Sequence, residues 1–220
     1  SLQLEVQGRI EVLSGEIDVS GKGFLADGLA SGLTGGSHIG YGGVTPGTVA
    51  GIAYGNFKTP VTSGRGGRSS SVFVDESNSS RGGGTIVLKA DELVLNGYIW
   101  STGQSIDSFP VSVGGGAGGT IAIDARKISG TGSINVMGTA GYSVTNDNNI
   151  GDGSGGIVSI KYQEVPEPTT YDNYGYVLSD IQIIAWGGHS GSRNYRGANG
   201  TIYLENKTTE KSKLYVQGYP

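Results

Sequence analysis

Residues 114–138 read GGGAGGTIAIDARKISGTGSINVMG. A glycine run opens into the alternation Ile121-x-Ile123. A second apolar segment follows at Ile128, then a Gly130-x-Gly132 corner, then Ile134-x-Val136 and Gly138. Apolar residues at every second position over four or five residues mark a strand with one face buried, because successive side chains of an extended chain point to opposite sides. Glycine or a small polar residue closes each strand. The pattern says much about architecture and little about a reaction.

The stretch is one copy of a repeat. Residues 82–103, GGGTIVLKADELVLNGYIWSTG, align with it without a gap: Ile86 falls on Ile121, Leu88 on Ile123, Leu93 on Ile128, Gly97 on Gly132 and Ile99 on Ile134. Residues 153–162 (GSGGIVSIKY) repeat the opening half, and 181–188 (IQIIAWGG) the closing half. Residues 197–204 (GANGTIYL) open another unit, 15–21 (GEIDVSG) form a closing half, and LEVQGRI at 4–10 matches LYVQGYP at 214–220. Self-similarity at a fixed period, built from short strands and glycine corners, predicts a stacked solenoid. The fold it predicts is a right-handed parallel β-helix with long loops on one side. A β-sandwich is the alternative, since many short strands at regular spacing also signal one.

Composition agrees with an all-β chain. Forty-two glycines in 220 residues follow no Gly-X-Y period, which excludes collagen. There are no cysteines, so neither a disulfide framework nor a thiolate metal site exists. The net charge is −4 and the lysines and arginines are scattered, which argues against a nucleic-acid surface. No apolar run is long enough to span a bilayer as a helix. The expectation is a single domain over residues 1–220, cut from a longer protein, with residues 22–81 as a long inserted loop. Excursions leave after Gly21, Gly103, Gly138 and Gly187, at one phase of the repeat, which predicts a continuous loop surface suited to recognition.

The string GGG(A/S)GGxIxI resembles the glycine-rich parallel β-helix repeats of large extracellular and cell-surface proteins, related in fold to the pectate-lyase-like superfamily. That resemblance covers most of residues 80–204. It implies a fold shared by polysaccharide lyases, hydrolases and non-catalytic adhesins, so it transfers no activity.

Candidate chemistry is sparse. Lys89 and Asp124 share a slot of the repeat, with Lys161 in the next unit, a ladder that serves either as a site or as stacked charges on a solvated face. His38 and His189 lie in predicted loops, too far apart in sequence to suggest a zinc site. His189, Arg193, Tyr195 and Arg196 form the most polar loop. The run NDNNIGDGSGG at 146–156 is rich in oxygen donors, which makes Asp147 and Asp152 candidate Ca2+ ligands; the same residues are ordinary turn formers. Trp100 and Trp186 adjoin closing strands and read as edge packing. Tyr41, Tyr54, Tyr142, Tyr171, Tyr174, Tyr176 and Tyr195 fall in predicted loops, where a flat apolar ring with a polar tip suits a contact surface. The functional expectation is a non-catalytic extracellular or cell-surface adhesion module. It presents Tyr41, Tyr54, Tyr142, Tyr174, Tyr176, His189, Arg193 and Tyr195 to a glycan or a surface protein. A carbohydrate-active enzyme and a structural spacer are the alternatives.

Overall fold

The computed structural model describes residues 1–69, 75, 79–104, 110–145, 149–164, 170–172, 175–189 and 195–216. In chain order the strands are β1 (Leu2–Glu5), β2 (Arg9–Val12), β3 (Glu16–Asp18), β4 (Thr85–Leu95), β5 (Tyr98–Trp100), β6 (Thr120–Ser129) and β7 (Ser133–Asn135). They continue as β8 (Ile157–Tyr162), β9 (Thr170–Asp172), β10 (Gly175–Leu178), β11 (Ile181–Ile184), β12 (Thr201–Asn206) and β13 (Lys211–Val216). No helix occurs among the described residues.

The strands form two sheets. A seven-stranded sheet runs β1-β4-β6-β8-β12-β13, with β2 pairing the second half of β4. A six-stranded sheet runs β3-β5-β7-β11-β10-β9. The register is the one the repeat predicts: Ile86 opposite Ile121, Leu93 opposite Ile128, and Ile99 opposite Ile134. Inward residues of both sheets, among them Ile86, Leu88, Ile121, Ile123, Ile160, Ile99, Ile134 and Ile183, join one buried cluster. Burying each such side chain contributes about 1.5–3 kcal/mol, so this shared core is the main source of cohesion between the sheets.

The right-handed parallel β-helix is not what the structure shows. The chain makes two sheets with mostly parallel strands, and both end in antiparallel pairs, β12 with β13 in one and β11 with β10 and β10 with β9 in the other. Among the described residues neither a solenoid nor a closed barrel results. The physical reason lies in the glycine-rich segments, read from sequence as corners and lateral loops. They pack on one another as a layer of their own.

Residues 151–156 (GDGSGG) show how that layer is held. Gly151 and Ser154 donate their N–H groups to the carbonyls of Leu33 and Gly36; Asp152 and Gly155 donate to Tyr195 and Ala198; Gly153 and Gly156 donate to Thr139 and Val136. Every third residue thus faces the same neighbour. That is the period of an extended threefold helix of the polyproline II kind, which makes no internal hydrogen bonds and must find all its partners outside. Carbonyls of five of these six residues accept in return from Gly115, Gly43, Gly188, Gly118 and Thr201. Residues 114–119 behave alike: Gly114 and Ala117 donate to Arg68 and Arg65, and Gly115 and Gly118 to Gly151 and Ser154. Neighbours this close leave no room for a side chain at the glycines. A Cβ on Gly153 would overlap the Gly116 carbonyl, and one on Gly118 would overlap that of Val136. Much of the predicted inserted loop belongs to this layer, through residues 33–43 and 64–68.

Candidate functional site

Among the described residues, the members of the predicted tyrosine face are divided between surface and interior. Tyr41 is exposed, but Tyr176 is buried, its ring against Tyr215 with centroids 4.4 Å apart. Tyr54 donates its hydroxyl to the Ser63 carbonyl at 2.6 Å, beside the His38 ring and under the Arg65 guanidinium; burial pushes its phenol pKa up. Tyr142 is half-buried and exchanges backbone hydrogen bonds with Val113. Tyr195 is half-buried and donates to Asn149 Oδ1 at 3.2 Å. His189 is exposed, with Nε2 3.4 Å from Arg196 Nη2. Tyr174, Arg193 and Asp147 lie outside the described residues. Asp152 is fully buried in the glycine layer, where its carboxylate accepts the Gly141 N–H at 2.9 Å. Among the described residues no group of three or more His, Asp or Glu is placed to hold a metal ion.

Depressions occur on the outer faces of both sheets. On the seven-stranded sheet the charge ladder is real and longer than the repeat suggested. Glu5, Lys89, Asp124, Lys161 and Glu205 stand in register across β1, β4, β6, β8 and β12. Lys89 bridges to Glu5 and Lys161 to Glu205, each at 3.5 Å, while Asp124 is held by Lys207. The next outward row holds Val87, Ala122, Ser159 and Tyr203. Over this floor runs a wall at residues 57–63, and between them lies a groove of about 190 Å³.

The wall is pinned at several points. Phe57 packs on Tyr203 with ring centroids 5.5 Å apart, Thr120 Oγ1 donates to the Thr62 carbonyl at 2.7 Å, and Ser63 Oγ lies 2.9 Å from Thr85 Oγ1. From beneath, the fully buried His38 places Nδ1 2.9 Å from the Gly118 carbonyl and Nε2 3.0 Å from Thr62 Oγ1. Because a carbonyl only accepts, Nδ1 carries the proton and Nε2 accepts from the threonine hydroxyl. Desolvation lowers the His38 pKa to about 4, so the ring is neutral at pH 7.

The second depression lies beside β5. Ile99 points into the core, so the alternation turns Tyr98 and Trp100 outward, their rings 5.3 Å apart. Trp100 pairs with Asp18 on one side and Asn135 on the other. The indole, Asp18, Ser20, Lys22, Thr102 and Gln104 line a cleft of about 390 Å³. Local hydrogen bonds set the polar rim. Asp18 Oδ1 accepts the Ser20 N–H at 2.7 Å, Ser20 Oγ accepts the Thr102 N–H at 3.0 Å, and Gln104 Oε1 accepts the Arg81 N–H at 2.8 Å. The second Asp18 oxygen and the Gln104 amide NH2 have no partner among the described residues. Sequence reasoning took Trp100 for edge packing. The signal that could have found it was the register of Ile99 with Ile17 and Ile134, which forces its neighbours to the outer face.

Compared with known proteins, the chain matches no family model, and no curated protein or solved structure is significantly similar to it. No helix of the described chain is long and apolar enough to cross a membrane.

Proposed function

We propose that the protein is a non-catalytic binding module that takes a glycan in the Trp100 cleft and works outside the cell or at its surface. One observation carries the reading: an outward indole flanked by Tyr98 sits within a ring of fixed polar groups, Asp18, Thr102 and Gln104. A sugar ring has an apolar C–H face that stacks on an indole, and hydroxyls around its edge that need both donors and acceptors. The cleft supplies the flat apolar surface and both kinds of partner, the combination typical of ligand sites. Binding rather than turnover fits the acids. Asp18 is tied to a backbone amide, whereas glycoside hydrolysis needs two opposed carboxylates across the scissile bond.

A glycan array probed with the wild-type chain and with Trp100→Ala tests this, alongside mass spectrometry of the same glycans after incubation. Expected are binding without cleavage and a loss of roughly tenfold or more on removing the indole, as for a central aromatic contact. Binding unaffected by Trp100→Ala but lost on Tyr41→Ala would move the site to the exposed tyrosine. Cleavage would overturn the reading.

A further inference from the structure

The groove on the seven-stranded sheet differs in chemistry from the Trp100 cleft. Its floor is Val87 and Ala122, and its wall carries Pro60 and Val61, the latter 75% exposed. Around that apolar trough stand Lys58, Lys89 and Lys161 against the single carboxylate of Asp124. Asp124 is already neutralised by Lys207, and Lys89 and Lys161 each share a glutamate. Lys58 has no ion-pair partner among the described residues. An apolar trough with one uncommitted ammonium at its rim is complementary to a ligand with an apolar body and one anionic head. A neutral sugar, polar all round, would leave the floor unmatched. The volume, about 190 Å³, lies below that of pockets for drug-sized ligands, so the body is small.

We infer that this groove is a second binding site, independent of the Trp100 cleft, for a small amphiphilic carboxylate seated with its apolar part on Val87, Ala122 and Val61 and its carboxylate on Lys58. The same chemistry occurs in a free short-chain acid and in the C-terminal residue of a peptide that ends in an aliphatic side chain. The rigid wall supports the assignment. Its anchors on Thr85, Thr120, Tyr203 and buried His38 hold Lys58 and Val61 over the floor before any ligand arrives, so binding loses little to ordering.

The test is an NMR titration of the full chain with hexanoate, hexanol and acetate. It also uses a tripeptide ending in leucine, with its C-terminus free or amidated. Hexanoate should shift the amides of Val61, Ala122 and Asp124 and bind roughly tenfold more tightly than hexanol or acetate, since each control lacks one half of the match. Affinity should fall with salt. Lys58→Ala and Val61→Asp, both at exposed positions that leave the fold intact, should each weaken hexanoate about tenfold, and Trp100→Ala should leave it unchanged. If the free-acid tripeptide outbinds hexanoate while its amide does not bind, the source is a peptide terminus. If neither tripeptide binds while hexanoate does, it is a free acid. Equal binding of hexanol and hexanoate, shifts that map to Trp100 instead of Val61, or no shift at all would each overturn the inference.

Discussion

In the two sheets the chain is held through its side chains, and in the glycine layer it is held through its backbone. Ile123 on β6 is locked by the core it fills, with its cross-strand neighbours Leu88 and Ile160 also buried. Gly153 buries no side chain, yet its N–H goes to Thr139, its carbonyl accepts from Gly188, and the chain around it touches neighbours on all sides. The first kind of region tolerates a smaller side chain with a graded loss. At a position such as Gly153 the second tolerates none that is larger than hydrogen, because the obstacle is another backbone that cannot turn aside.

The largest effect that separates the two regions should come from Gly153→Ala. Its new methyl group would overlap the Gly116 carbonyl, so the cost should exceed the usual range for overpacking and pass about 4 kcal/mol in urea unfolding, or prevent folding. Ile123→Ala should cost about 3 kcal/mol and leave a cooperative transition. If the alanine at 153 were the milder change, the layer would be looser than described.

Acid should act on the layer through His38. Its folded pKa of about 4 lies below the unfolded value of 6.5, so the unfolded chain takes up the proton first as pH falls. The stability this group contributes is therefore complete above pH 6.5 and declines as pH drops to 4, by about 3 kcal/mol in all. A pH series of thermal melts on wild type and His38→Gln should show that slope in the first and its loss in the second. The wall at Thr62 should loosen over the same window, seen as broadened amide signals at residues 58–62.

Smallest of all should be Arg126→Ala. Arg126 reaches Asp91 at 2.7 Å and Glu164 at 2.8 Å, and Asp91 is held below the usual carboxylate range by that hydrogen bond, but the groups are solvent-exposed. Exposed ion pairs are screened by solvent and contribute little, so the melting midpoint should hardly move. A large drop would mean that this surface network does work here assigned to the core.

How far each region could be read from the chain follows the same division. The sheets were legible because their partners are spaced by a fixed repeat and marked by residue type: Ile86 with Ile121 and Leu93 with Ile128 stand at matching phases and pair as those phases predict. The ladder from Lys89 through Asp124 to Lys161 was legible for the same reason. The glycine layer was not, because its contacts join segments such as 33–36, 114–119 and 151–156 whose glycines carry no mark of which neighbour they meet. With the layer unread, the glycine segments passed for lateral loops and the stack passed for a β-helix. The candidate sites fell between. The outward position of Trp100 was implicit in the register of Ile99, whereas the groove needed the wall at residues 57–63, which is set by His38 and could not be placed from sequence.

Hydrogen exchange of backbone amides, residue by residue, tests the central claim most directly. The amides of Gly115, Gly118, Gly151, Gly153 and Gly155 should exchange as slowly as those of Ile123 and Ile160, because each donates to a carbonyl within a packed layer. Exchange of these glycines at the rate of an open chain, with the strands still protected, would show that the layer is a set of loops.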